Sequence, residues 1–283
     1  MVDSALHFAA GFFGVQQFPT SYHQLIQIED TGFNSTLAPY DACANANNAI
    51  ADIGTAYTTN WTAVVQAMQQ LCAYETVALG YSAFCALFTE EEWRGYEYAN
   101  DLQFWYGSGP GNPAAAAQGI GYVQELVARL TQTPLTVFDT TLNATLDGNN
   151  VTFPLHQPIY VDATHDTVIS TIVVALNFTS MAKNGPLPAD HIPKDQTYFA
   201  QHIAPFASNL VAQEPFIRFL LNDGVVPLTG IAHCAEDKDG LCALGDFVQG
   251  MKERIAEVDF AYDCFANYTV PVPDTIIDGR MHK

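Results

Sequence analysis

Residues Pro158–Phe178 read PIYVDATHDTVISTIVVALNF, and this stretch decides the fold. After Pro158, the run Ile159, Tyr160, Val161 and Ala163 is apolar and rich in β-branched residues, the pattern of an interior strand. From Val168 the period changes. Val168, Ile169, Ile172, Val173 and Leu176 recur at helical spacing and give one apolar face. His165 and Asp166 therefore fall between the end of a strand and the first turn of a helix. In α/β proteins ligands bind there, and the unpaired N–H groups of a helix start favour an anion. An imidazole and a carboxyl at that joint are suited to phosphate binding and proton donation. A His-Asp dipeptide is also common, and Asp166 serves equally well as a helix cap. The dipeptide alone does not choose between these roles.

Composition narrows the choice. The chain has 283 residues, 49% hydrophobic, enough for one large or two smaller domains. Ten Lys+Arg stand against 30 Asp+Glu, a formal charge of −20. That balance argues against nucleic acid or an anionic membrane as partner, and it suits work in acid, where carboxylates are protonated and self-repulsion falls. No apolar run reaches the length of a membrane span. The N-terminal Met1–Gly14 lacks a basic segment and carries Asp3 and His7, so it predicts a helix and not a signal peptide. The body nevertheless reads as secreted. Sequons stand at Asn34, Asn60, Asn143, Asn150, Asn177 and Asn267, where chance would place about two. Six cysteines, none in a Cys-x-x-Cys pair, favour disulfides over zinc or redox sites, with fifteen connectivities open. A secreted body without a leader predicts that an N-terminal segment is missing.

Elsewhere the periodicity predicts a strand over Tyr22–Ile28 and helices over Ile50–Leu71, Leu71–Ala86, Ala114–Leu130 and Gly245–Val258. Thr89 and Glu92 form a capping-box signature that opens a further helix. Pro215–Leu221 followed by Asn222-Asp223-Gly224 predicts a hairpin. The loop YGSGPGNP, Tyr106–Pro113, has no Gly-Lys-Ser/Thr after it and so is not a phosphate-cradling P-loop. Residues 1–44 are expected to form part of an α/β core and the lead-in to a cap, 45–130 an α-helical cap, and 131–283 the remaining core with the His-Asp pair.

Several segments together resemble one family. VDATHDTVISTIVVALNF, GNPAAAAQGIGYVQELVARLT, LLNDGVVPL, DGLCALGDFV, FNSTLAPYDAC and DSALHFAAGFFG are similar to fungal histidine acid phosphatases, members of the phosphoglycerate-mutase-like histidine phosphatase superfamily that includes the phytases. The likeness runs in order along nearly the whole chain. It implies a three-layer α/β sandwich with an inserted helical cap, here with the N-terminal part of the core missing. It also implies hydrolysis of a small phosphomonoester through a phosphohistidine, without a metal or other cofactor. In that chemistry a neutral imidazole attacks phosphorus, cationic groups offset the charge on the oxygens, and an acid protonates the leaving alcohol. The resemblance assigns phosphate binding to His165 and proton donation to Asp166.

The family nucleophile lies in an Arg-His-Gly-x-Arg-x-Pro motif, and no Arg-His-Gly occurs in this chain. Its arginines, Arg94, Arg129, Arg218, Arg254 and Arg280, lack the required neighbours. The expectation is a chain that begins just after most of the phosphate cluster and is inactive alone. Phytase-like members carry lysines before Tyr-Tyr-Gly in the cap; here the segment is Gln103-Phe104-Trp105-Tyr106-Gly107, which favours a general acid phosphatase. The resemblance further implies the disulfides Cys43–Cys264, Cys72–Cys85 and Cys234–Cys242, and a secreted parent protein. Two alternatives stand beside this reading. One is a non-catalytic relative that binds a phosphorylated ligand or a partner. The weaker one is a metal-dependent phosphohydrolase, since the other histidines show no ligand spacing. Glu90-Glu91-Glu92 reads as a favourable helix start, and Phe104-Trp105-Tyr106 as core packing.

Overall fold

The computed structural model describes residues 1–46, 63–213, 216–272 and 274–283. The fold is mixed α/β, with long helices and one small antiparallel sheet. Helix α1 is Val2–Phe13, ended by Gly14 at a positive φ of 85°. Helix α2 spans Ala63–Leu79 and α3 spans Glu90–Gly107. Helix α4 is Ala115–Thr131 and α5 is Asp166–Ala175. Strands β1, Leu210–Gln213, and β2, Phe216–Leu221, follow, then β3, Gly224–Val225, and β4, Cys242–Ala243. Helices α6, Leu244–Glu257, and α7, Phe260–Phe265, close the chain.

The capping box forms as its residues predict. Thr89 accepts a hydrogen bond from the Glu92 backbone, and the Glu92 carboxylate accepts one from the Thr89 backbone at 2.7 Å. The hairpin also forms, with Leu221 opposite Gly224 and Asn222-Asp223 at positive φ in the turn. Strand β2 is central: it pairs β1, β3 and β4. Its side chains alternate, so Ile217, Phe219 and Leu221 are buried. Phe219 meets Phe178 from beyond α5 and Phe247 on α6, with ring centroids 5.2 and 5.5 Å apart. Trp105 and Tyr106 lie in the core, as the packing reading of that segment expects.

Three expectations are corrected. Ile159–Ala163 forms no strand and pairs with none among the described residues, and Ile159 and Val161 remain 49% and 41% exposed. Tyr22–Ile28 is likewise unpaired, with Leu25, Ile26 and Ile28 exposed. An apolar alternation marks the face a strand would bury, but a strand also needs a neighbour for its N–H and C=O groups. Third, no helix boundary falls at Leu71. Helix α2 runs through it because no Gly or Pro interrupts until Gly80, at φ 76°. Beyond that glycine a 3₁₀ turn, Ala83–Leu87, folds back and Cys85 bonds Cys72. The remainder of the Ile50–Leu71 expectation, and the Asn60 sequon, lie outside the described residues.

Cys43 bonds Cys264 and Cys234 bonds Cys242. The first joins the loop before α2 to α7, where the Asn45 backbone also donates to the Cys264 carbonyl at 2.9 Å. Helices α4 and α5 run antiparallel: Gly119 meets Thr171, while Tyr122 and Arg129 reach Asp162, upstream of α5. They approach closely at Gly119, where an added Cβ would sit 2.2 Å from the Thr171 carbonyl oxygen. Gly119→Ala should therefore destabilise the protein by about 1–3 kcal/mol, the usual cost of overpacking, despite the better helix propensity of alanine. Urea unfolding followed by far-UV circular dichroism measures this.

Candidate functional site

His165 is the N-cap of α5 in extended conformation, φ −93° and ψ 160°, and Asp166 is its first helical residue. The two are adjacent at a helix start, as their spacing predicts. Thr164 fixes the approach by donating its hydroxyl to the Leu37 carbonyl at 2.6 Å. Asp166 is exposed, and one carboxylate oxygen accepts the Thr167 N–H at 2.7 Å. The N-cap position is that of His165, so the expected role of Asp166 as the cap is corrected: it is the first helical residue and bonds the next N–H.

The His165 imidazole is engaged by a residue that sequence reading missed. Its Nε2 lies 3.1 Å from the Glu29 carboxylate, to which the Tyr40 hydroxyl also donates. The Tyr40 and His165 rings meet edge-on with centroids 6.4 Å apart. Bonds from Tyr40 and His165 hold the Glu29 carboxyl below its usual range. Burial, followed by the Glu29 bond, pushes the Tyr40 hydroxyl up. Glu29 reaches this place because the unpaired segment 22–29 is tied down by side chains, with the Ser35 hydroxyl donating to Gln27 and that of Tyr40 to Glu29.

A second cluster anchors the chain leading to His165. Arg129, in the last turn of α4, donates to Asp162 at 2.5 and 3.2 Å and to Glu125 at 3.1 Å. Tyr122 donates to the same Asp162 at 3.0 Å, and Thr36 donates to Glu125 at 2.6 Å. The Arg129 guanidinium also lies over the rings of Tyr160 and Phe153, 5.0 and 5.1 Å from their centroids. Burial works against the Arg129 charge, but Asp162 and Glu125 hold its pKa above the ordinary value. Burial pushes the Glu125 carboxyl up to about 8, against the pull of Arg129. The i, i+4 spacing of Glu125 and Arg129 was visible in the sequence; their meeting with Asp162 was not.

Three other arginines are bonded away from His165. Arg218 bonds Gln213, Arg254 bonds Glu257 and the carbonyls of Val174, Ala175 and Asp278, and Arg280 pairs with Asp278 and Glu257. A cavity of about 480 Å³ beside Arg254 and another of about 210 Å³ between α4 and α6 contain neither His165 nor Asp166. At the joint Asp166 is exposed and the His165 side chain is 37% exposed. Of the sequon asparagines, Asn150 and Asn267 are exposed. Asn34, Asn143 and Asn177 are half-buried and donate their amides to main-chain carbonyls.

A family model described as histidine phosphatase superfamily (branch 2) matches residues 55–214, more than half the chain and including the His-Asp joint. The chain belongs to that superfamily branch. Similar curated proteins are fungal. Phytase A of Aspergillus oryzae is 36% identical over 215 residues, covering 70% of this chain and 45% of that protein. Phytase A of Emericella nidulans is 39% identical over 199 residues, 65% of this chain and 42% of that protein. Phytase A of Penicillium oxalicum is 40% identical over 202 residues, again 65% and 42%. Among solved structures, the phytase from D. castellii superposes with a TM-score of 0.70 at 25% identity, over 93% of this chain and 57% of that one. The chain thus spans less than half the length of these curated relatives.

Burial of Glu125 implies a pH dependence of stability. Its folded-state pKa, about 8, exceeds the ordinary carboxylate value, so the folded protein holds this proton more tightly than the unfolded chain. Its stabilising contribution is full below the ordinary value and is lost as pH rises through about 8. Glu125→Gln should therefore lose less stability than the parent between about pH 5 and about pH 8. Thermal melts of both proteins across that range test it; parallel Tm profiles would remove Glu125 as the titrating group.

Proposed function

We propose that this chain carries the helix-start half of a phosphomonoester hydrolase site, with His165 binding the phosphoryl group and Asp166 protonating the leaving oxygen. The observation that carries this reading is the placement of both residues at the first turn of α5, within the segment matched by the family model. A phosphoryl group at this joint would meet the N-terminal end of the helix and the imidazole together. As the P–O bond to the alcohol breaks, Asp166 supplies a proton to the departing oxygen, so that no bare alkoxide is expelled.

The attacking group is not in this set. The chain contains no Arg-His-Gly, and the arginines described above are committed elsewhere, so this polypeptide by itself turns over little or no substrate. The substrate class is a small phosphomonoester. The curated relatives are named phytases, but the Gln103–Gly107 segment carries no lysine and the chain has a charge of −20, which favours a general acid phosphatase over one tuned to a highly anionic inositol phosphate. Six sequons, three disulfides and fungal relatives fit a secreted parent protein; no helix among the described residues is long and apolar enough to cross a membrane. The same facts fit a second reading, a non-catalytic relative that binds phosphorylated ligands, favoured by the missing nucleophile motif.

The purified chain should release no nitrophenol from p-nitrophenyl phosphate above the buffer rate at acid pH. Turnover abolished by EDTA and restored by zinc would replace this reading with a metal-dependent one. In a polypeptide that also carries an Arg-His-Gly-x-Arg-x-Pro segment, Asp166→Asn should slow hydrolysis by about 10²–10⁴-fold for poor leaving groups and far less for good ones. Equal slowing of both would remove Asp166 from the proton-donor role.

A further inference from the structure

The contact between Glu29 and His165 bears directly on what this joint binds. The imidazole nitrogen Nε2, at the tip of the ring, faces a carboxylate 3.1 Å away. That carboxylate is an anion held in place by the Tyr40 hydroxyl, and its pKa is lowered by both partners. Asp41 and Glu29 are the charges that act on Tyr40, and the N-terminal amino group acts weakly on Glu29. Neither His165 nor Glu29 is enclosed: their side chains are 37% and 50% exposed. A half-exposed carboxylate can swing away at small cost, because an exposed ion pair contributes only about 0.2–1 kcal/mol.

We infer that Glu29 is an internal competitor at the anion site, a carboxylate that occupies the His165 nitrogen a phosphoryl group must take. The inference rests on the reading of His165 as a phosphate-binding residue. A phosphate oxygen and the Glu29 oxygen cannot share one N–H, and two anions at this separation repel. An entering phosphate therefore displaces Glu29, and Tyr40 determines how firmly Glu29 resists. Glu29 thereby sets how weakly the joint holds anions in general, and it favours ligands that bring further contacts, such as an ester with its alcohol portion bound elsewhere, over free phosphate. Tyr40 and Glu29 act here as specificity-determining residues and not as catalytic ones.

The test is titration of isotope-labelled protein with inorganic phosphate at about pH 6, following the His165 ring signals by NMR. The signals are assigned by their loss in His165→Ala. Glu29→Gln keeps the shape and removes the charge. It should tighten phosphate binding about 5- to 30-fold, the effect of deleting one charge near 4 Å from a mono- or dianion in a solvated site. Tyr40→Phe, which frees Glu29 without neutralising it, should tighten binding in the same direction by less. If Glu29→Gln leaves affinity unchanged or weakens it while His165 still responds to phosphate, Glu29 orients the ring or is neutral to binding. The inference then falls and the phosphate-site reading stands. If phosphate moves the His165 signals in none of the three proteins, both fall. Circular dichroism of each variant verifies that the fold is intact.

Discussion

The close antiparallel packing of α4 on α5 is the constraint on which the rest of this structure depends. At one end, Gly119 lets the two backbones approach where any side chain would collide with the Thr171 carbonyl. At the other end, Arg129 reaches past the helix start and grips Asp162, three residues before His165. One end fixes the distance between the helices and the other fixes the chain that enters α5. The position of the His-Asp pair follows from both. Residues 278–280 reinforce this pair: the Gly279 carbonyl accepts from the start of α4, and the buried Arg254 bonds carbonyls at the end of α5 and at Asp278.

The polar anchor is expensive to bury. A guanidinium shared between two carboxylates inside a protein is retained only where its geometry satisfies each charge, and the removal of one partner leaves another uncompensated. Here burial pushes the Glu125 carboxyl up while Arg129 pulls it down. The solvent-facing set of Tyr40, Glu29 and His165 differs in kind. The His165 and Glu29 side chains are partly exposed, and a hydrogen bond from Tyr40 ties Glu29 in place.

Two segments without assigned secondary structure, 22–28 and 159–163, expose apolar side chains and pair with no strand among the described residues. Their side-chain tethers keep them in place without a ladder: Thr164 to Leu37, Ser35 to Gln27, Arg129 to Asp162.

Much of this was legible in the residues themselves. Capping chemistry located α3, the Asn-Asp-Gly turn located the β2–β3 hairpin, and helical periodicity located α4, α5 and α6, because each of these signals acts within one or two turns of chain. The His-Asp pair was legible for the same reason, since a switch from alternating to helical spacing marks a helix start. Tertiary structure decided what local signals do not carry. Whether an apolar extended run becomes a strand depends on a neighbour, and Ile159–Ala163 has none among the described residues. Glu29 and Asp162 meet His165 and Arg129 across separations of 136 and 33 residues, contacts set by the packing of whole elements. The sequence by itself determined that a His-Asp pair stands at a helix start. Only the fold decided that a carboxylate stands in front of one of them, because that contact depends on how distant segments pack and not on any local preference of either residue.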